Sequence, residues 1–215
     1  MGNKEYFVRE FDIDVLNTSL KLYQKVEGDV GCVVWDASIV LAKYLEELYK
    51  KDCQKFKNLN VVELGSGVGC VGLTVACLGS NSLLTDLEEI LPLLKRNIEV
   101  NYENIRLNNG SATAVCLNWG ETKFQEAPPD LILVADCVYY KESIDKLVDT
   151  LKNLSGSNTK VLMSHEMRES QQQQDYWSYF YERITKHFKA HFVPLEDQNE
   201  IFRSSDILVI ELTPL

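Results

Sequence analysis

The chain has 215 residues, of which 45% are apolar, 25% charged and 10% aromatic, with 11 Gly and 5 Pro; this balance excludes collagen-like, mucin-like and disordered chains. With 22 Lys and Arg against 32 Asp and Glu the net charge is -10, a field that repels phosphate, argues against DNA as a partner and suits a partner presenting a basic side chain. The length is enough for one large domain whose core needs no disulfide or metal staple.

The first six residues, Met1 to Tyr6, carry no apolar signal core, and Tyr6 stands where a myristoylation motif needs Ser or Thr. No run approaches the ~18 apolar residues of a membrane span. The expectation is a monomer of the cytoplasm, and also of the nucleus, with the Asn-x-Ser/Thr matches at Asn17, Asn109 and Asn153 unused. Residues 1–28 read as an N-terminal β extension, with extended segments at 6–13 and 19–26 joined by a polar turn around Asp14 and Asn17. Residues 29–215 read as the main domain. There a helix at 37–51 precedes a strand at 59–64, a helix at 70–78, a strand at 82–85 and a helix at 87–101. Strands follow at 113–117, 131–135 and 161–164, with helices at 142–154 and 171–188. The last two strands, 191–195 and 206–212, leave no room for a helix between them. Alternating strands and helices predict an α/β fold with a mostly parallel sheet covered on both faces, and the final pair predicts an antiparallel ending.

In such a sheet ligands bind beyond the carboxyl ends of the strands, near the switch in strand order. The run Val61-Val62-Glu63-Leu64-Gly65-Ser66-Gly67-Val68-Gly69-Cys70-Val71-Gly72 places glycines at alternate positions between a strand and a helix, where the backbone turns tightly and approaches a ligand closely. Asp86 ends the next strand, where a carboxylate can accept both hydroxyls of a ribose. The segment also satisfies the dinucleotide fingerprint, in which a helix N-terminus holds a pyrophosphate. Glu63, two residues before the first glycine, favours a cationic cofactor, S-adenosylmethionine, over a pyrophosphate.

A second group is Leu131-Ile132-Leu133-Val134-Ala135-Asp136-Cys137-Val138-Tyr139-Tyr140, a strand running into an acid and two tyrosines. Methylating a lysine requires binding an amine of ordinary pKa about 10.4, letting it lose a proton and aiming its lone pair. Asp136 can hold that nitrogen and Tyr139 can offer an aromatic face and a hydroxyl. The plainer alternative is that Asp136 caps the helix beginning near Lys141 while Tyr139 packs in the core. His165 ends a strand and can be read as a base, but more simply as a hydrogen-bonded surface residue. The six cysteines form no Cys-x-x-Cys and read as reduced structural thiols; no His/Cys cluster has zinc spacing, so no metal is expected.

Together Glu63-Leu64-Gly65-Ser66-Gly67-Val68-Gly69, Asp86 and Asp136-Cys137-Val138-Tyr139 resemble the Asp-x-x-Tyr group of seven-strand protein lysine methyltransferases. Gly31-Cys32-Val33-Val34-Trp35-Asp36-Ala37, Asn118-Trp119-Gly120-Glu121 and Pro128-Pro129-Asp130 make the pattern most similar to the valosin-containing protein lysine methyltransferases within it. The resemblance spans roughly residues 28–212. It implies a Rossmann-like class I methyltransferase fold with a seven-stranded sheet and S-adenosyl-L-methionine as cofactor. It further implies Trp35 and Ala135 near the cofactor's methionine end, Gly65, Ser66, Gly67 and Gly69 in the loop with Glu63, Asp86 on the ribose and Trp119 by the adenine. Asp136 and Tyr139 are then expected to be catalytic, Tyr140, Glu166 and Arg168 to meet the substrate, and the partner to be a non-histone protein with an accessible lysine.

Overall fold

The computed structural model describes residues 6–28, 30–121 and 127–215; the N-terminal residues 1–5 considered above lie outside the described residues. Strands β1 (Tyr6–Ile13) and β2 (Thr18–Lys25) form an antiparallel hairpin. Helix α1 (Asp36–Lys51) follows, then β3 (Asn60–Leu64), α2 (Cys70–Cys77), β4 (Asn81–Asp86), α3 (Leu91–Val100), α4 (Tyr102–Arg106) and β5 (Ser111–Cys116). The remainder is β6 (Leu131–Ala135), α5 (Lys141–Leu154), β7 (Lys160–Glu166), α6 (Gln171–Ile184), β8 (Phe188–Phe192) and β9 (Ile207–Pro214).

Seven strands form one sheet in the order β5-β4-β3-β6-β7-β9-β8. Strands β3 to β7 run parallel, and β9 inserts antiparallel between β7 and β8. This is the seven-stranded, mostly parallel architecture with an antiparallel last strand that the sequence predicts. The order reverses between β3 and β6, so their carboxyl ends diverge into a crevice there.

The strands bury both faces because alternate residues point to opposite sides. In β6, Leu131 and Leu133 join the core shared with α1, α2 and the hairpin, while Ile132 and Val134 join the core under α5 and α6. Helix α2 is buried on every side, as its apolar composition requires. Helix α5 instead buries Ile144, Leu147, Val148, Leu151 and Leu154, spaced three or four apart, and turns its charged residues outward.

Several elements differ from the sequence reading, among them the strand expected at 191–195, which runs over Phe188–Phe192. The helix expected from residue 87 begins at Leu91, because the Asp86 carboxylate takes the Leu87 N–H and a turn closes from Ile90 N–H to Leu87 O before Pro92 enters the first helical turn. The short helix α4 (Tyr102–Arg106) has no counterpart among the expected elements. The helix expected to reach residue 188 stops at Ile184, and Phe188, buried at 2%, starts the edge strand β8.

The hairpin packs through Phe11, Ile13, Leu20 and Leu22. Its connecting turn is fastened by Lys43 of α1, 1% exposed, whose Nζ lies 2.7 Å from Asp14 Oδ2, 2.8 Å from Glu46 Oε1 and 2.6 Å from the Asp12 carbonyl. Burial works against this ammonium, but the bonds to Asp14 and Glu46 outweigh it and raise its pKa. All six cysteines are free thiols, and Cys32, Cys70, Cys77 and Cys137 are buried. Among the described residues no helix is long and apolar enough to cross a membrane, and no cluster of His, Cys, Asp and Glu is arranged to hold a metal ion.

Candidate functional site

A cavity of about 270 Å³ opens at the switch between β3 and β6. One wall is the turn after β3. Gly65, Gly67 and Gly69 have φ of 64°, 53° and 88°, the left-handed region that glycine enters without cost. A Cβ on Gly65 would lie 2.7 Å from Cys137 Sγ and 3.2 Å from the Trp119 ring, so only a bare Cα lets the turn sit against the cavity. Asp86, at the end of β4, lines the same wall and accepts the Gly67 N–H at 2.7 Å, fixing the loop's height over the strand ends.

Glu63 does not reach this wall. It is 2% exposed and accepts the Gly72 N–H at 3.1 Å beneath the loop. Burial pushes its pKa up to about 8, with Asp86 adding to the rise and bonds to Ser66 and Gly72 opposing it. Glu63 braces the turn from beneath and is not among the residues that line the cavity. Ser66, Gly67 and Gly69 shape the loop from behind the wall and are likewise outside the cavity lining, whereas Trp35, Gly65, Asp86, Trp119 and Ala135 lie in it.

The opposite wall is the turn after β6, where Asp136, Tyr139 and Tyr140 line the cavity. Asp136 has φ 55°, a conformation that costs a side-chain-bearing residue ~1 to 2 kcal/mol. Its own N–H donates to the Ser164 carbonyl. Its Oδ1 accepts from Glu166 N–H at 3.3 Å and Arg168 Nη1 at 3.2 Å, while Oδ2 accepts from Arg168 Nη2. The carboxylate does not cap α5; Tyr140 occupies the cap position and supplies no side-chain bond there. Tyr139 is half-buried, its ring 4.6 Å from that of the exposed Tyr140, and its carbonyl accepts from Gln173 of α6.

Glu166 and Arg168 reach the site through Asp136 rather than by lining the cavity. The Arg168 guanidinium also lies 3.3 Å from Glu166 Oε2 and 5.7 Å from the centre of the Trp35 ring. His165 is buried at 1% instead of lying on the surface. It stacks on Trp177 with ring centres 4.4 Å apart, and its Nδ1 stands 3.6 Å from Asp136 Oδ1 without a hydrogen bond. Burial pushes its pKa down to about 4, aided by Arg168 and resisted by Asp136, so it is neutral at physiological pH.

A family model described as lysine methyltransferase matches residues 15–187, most of the chain. The chain belongs to the lysine methyltransferase family. Among curated relatives, this lysine methyltransferase is 37% identical to Protein N-lysine methyltransferase METTL21A of Danio rerio over 175 residues, covering 80% of this chain and 75% of that one. It is 32% identical to EEF1A lysine methyltransferase 3 of Xenopus tropicalis over 188 residues, covering 86% of this chain and 79% of that one. Among solved structures, the T. thermophilus 16S rRNA N2 G1207 methyltransferase RsmC, in complex with AdoMet and guanosine, superposes with a TM-score of 0.70 at 14% identity. The alignment covers 99% of this chain and 52% of that one, so the lysine methyltransferase spans about half of that structure, and the likeness is one of fold.

Several wall residues of this lysine methyltransferase were not singled out from its sequence. Val30 lies before α1, Leu87 and Ile90 at the entry to α3, and Ser143 and Lys146 on the first turns of α5. A sequence signal existed for some of them, since the first turns of helices that follow parallel strands converge on the crevice. Their side chains alone carried none.

Proposed function

We propose that this lysine methyltransferase uses S-adenosylmethionine to methylate a lysine side chain of a non-histone protein. The valosin-containing AAA ATPase, another chaperone-type protein and EEF1A are the first targets to try, the last because a relative is named for it. The observation that supports the reading best is the convergence of Gly65, Asp86, Trp119, Asp136 and Tyr139 on one cavity. These residues fit the cofactor: a bare glycine Cα admits the amino-acid end, a carboxylate suits the ribose hydroxyls, and Trp119 with Leu117 offers an apolar surface to the adenine. When bound, S-adenosylmethionine supplies an activated sulfonium methyl group.

The chain's own residues then have to bring a deprotonated amine to that methyl and keep water away. Trp35 and Ala135 flank the methionine end, and Trp35 is held in place by its Nε1–H to the Val30 carbonyl at 2.9 Å. Tyr139 and Tyr140 wall the approach of the lysine stem, where aromatic faces suit both methylenes and a charged head. Asp136 receives an N–H of the amine and orients its lone pair. Orientation and desolvation supply most of the rate, because no leaving-group activation is required of the protein. The hairpin formed by β1 and β2 packs through Phe11, Ile13, Leu20 and Leu22, which supports reading residues 1–28 as an N-terminal extension and residues 29–215 as the methyltransferase domain.

Incubating the full chain with methyl-labelled cofactor and, in turn, purified valosin-containing AAA ATPase, purified EEF1A and a whole-cell lysate tests this reading. A labelled protein band whose label maps to lysine supports it. Label in RNA or in small molecules, or no label at all, overturns it.

A further inference from the structure

The Asp136 carboxylate, which this reading gives to the target lysine, already has a cation of its own. Arg168 meets it with both terminal nitrogens, Nη1 on Oδ1 and Nη2 on Oδ2, while Glu166 N–H adds a further bond to Oδ1. Asp136 is 6% exposed and Arg168 partly exposed, so the carboxylate end of the pair is the one shielded from solvent. Oδ1 is thereby saturated, and Oδ2 retains room for one further donor. The cluster's charges are Asp136, Glu166 and Arg168, a sum of one negative charge, because the adjoining His165 is buried in its neutral form.

Other titratable groups stand on the neighbouring elements. Asp86 closes β4 and Cys137 follows Asp136 on the same turn; Tyr139 and Tyr140 stand at the entry to α5, Lys146 on its second turn and Asp36 at the start of α1, while Glu63 lies beneath the glycine loop. Asp86 is engaged by the Gly67 and Leu87 N–H groups, and burial raises the Cys137 thiol well above its usual range. Arg168 is the cation bonded to Asp136.

We propose that Arg168 is a positioning residue that sets the protonation state of the incoming lysine. Acting through Asp136, it cancels one of two neighbouring carboxylate charges, so that the amine occupies the site in its free form instead of as an ammonium ion locked to a bare carboxylate. The inference rests on the lysine-transfer reading. The proton leaves the ammonium for water first. The nitrogen lone pair then forms the new N–C bond as the C–S bond breaks, the bonding pair returning to sulfur.

A bare Asp136 would stabilise the ammonium and raise the pH at which transfer reaches its plateau, whereas removing the Glu166 charge would lower it. A role confined to holding the fold cannot produce opposite shifts from the two partners of one arginine. The test is single-turnover transfer against pH, with saturating cofactor and saturating EEF1A, valosin-containing ATPase or purified lysate protein, whichever the labelling assay identifies. Arg168→Ala is expected to move the apparent pKa of transfer upward by about 1 to 2 pH units, the scale of one unit charge a few ångströms away at a partly buried site. Arg168→Lys should restore part of the shift. Glu166→Gln should move the profile to lower pH, by less, because Glu166 is half-exposed.

Profiles that superpose on wild type, with only the rate reduced, overturn the proposal. So does an Arg168→Ala variant with lowered KM and an unmoved pKa, which would mean that Arg168 merely occupies the lysine's place. Should Arg168→Ala fail to fold with Asp136 left unpaired, the opposed shifts expected of Arg168→Lys and Glu166→Gln decide the matter. A wild-type chain that labels no lysine overturns the lysine-transfer reading itself, whereas wild-type lysine labelling with superposed profiles overturns this inference alone.

Discussion

Asn97 and Tyr23 exchange two hydrogen bonds, as two strands would. Tyr23 N–H donates to Asn97 Oδ1 at 2.8 Å, and Asn97 Nδ2 donates to the Tyr23 carbonyl at 3.0 Å. One helical turn later Asn101 does the same for Lys21, and Asn104 of α4 reaches the Ser19 carbonyl. Four helical residues advance ~6 Å and two strand residues ~6.8 Å, so the asparagines stay in step with alternate residues of β2. The outer edge of the hairpin is thus paired by helix side chains, which closes an edge that would otherwise invite another strand. Asn97 Nδ2 also donates to the Val68 carbonyl at 2.9 Å, linking the hairpin to the glycine loop.

Asn97 is fully buried, and truncating it strands two carbonyls and one N–H. Asn97→Ala should therefore lower stability by ~2 to 4 kcal/mol and weaken cofactor binding through the loosened loop, while Asn104→Ala should cost about 0.5 to 1.5 kcal/mol. Urea denaturation and calorimetric titration of both variants measure the difference.

Asp86 carries two loads, since its carboxylate holds the Gly67 N–H and is proposed to bind the ribose. Asp86→Ala should weaken S-adenosylmethionine by about 1.5 to 3 kcal/mol. Asp86→Asn, which keeps an acceptor for Gly67, should recover the loop more than the affinity. Titration calorimetry on folded variants is the check, and unchanged affinity would remove Asp86 from the cofactor site.

For Asp136 and Tyr139 the expected signature is kinetic. Asp136→Asn should retain cofactor affinity while lowering turnover by ~10² to 10⁴-fold, the range of a positioned acid-base group. Tyr139→Phe should cost less than Tyr139→Ala, which also removes the aromatic wall. Cofactor binding, thermal stability and turnover are measured on the same samples; a stable, cofactor-binding Asp136→Asn with full turnover would take Asp136 out of the chemistry.

The pH dependence of stability should show two buried groups acting in opposite senses. Glu63 has a folded pKa raised from 4.5 to about 8, so its contribution is complete below pH 4.5 and is lost as pH rises through about 8. His165 has a folded pKa lowered from 6.5 to about 4, so its contribution is present above pH 6.5 and is lost as pH falls through about 4. Glu63→Gln keeps an acceptor for Gly72 and should flatten the decline between pH 4.5 and 8 seen by denaturant unfolding. A variant whose stability curve parallels wild type across that interval would show that Glu63 does not titrate there.

The net charge of -10 also bears on encounter. A target lysine in a basic surface should be methylated more slowly as salt rises from low to moderate concentration, with the loss falling on kcat/KM. Rates that increase with salt would point to a neutral or acidic target surface.

Local pattern was enough to determine the strand and helix alternation, the glycine turn, the acid ending β4 and the acid following β6, because each is a statement about which side a residue faces or how a short backbone segment bends. Periodicity reports burial, and a parallel α/β order sends every strand end to one edge, so Asp86 and Asp136 could be placed in a common crevice without coordinates. What the sequence could not determine is which distant side chains meet. The pairing of Arg168 with Asp136 spans 32 residues and that of Asn97 with Tyr23 spans 74. Nor does the sequence show that Glu63 is enclosed beneath the packed loop, bonded to the Gly72 N–H. Such contacts depend on how the whole chain closes and on the solvent it excludes, and these alone decide whether a carboxylate is a ligand, an ion-pair partner or a buried brace.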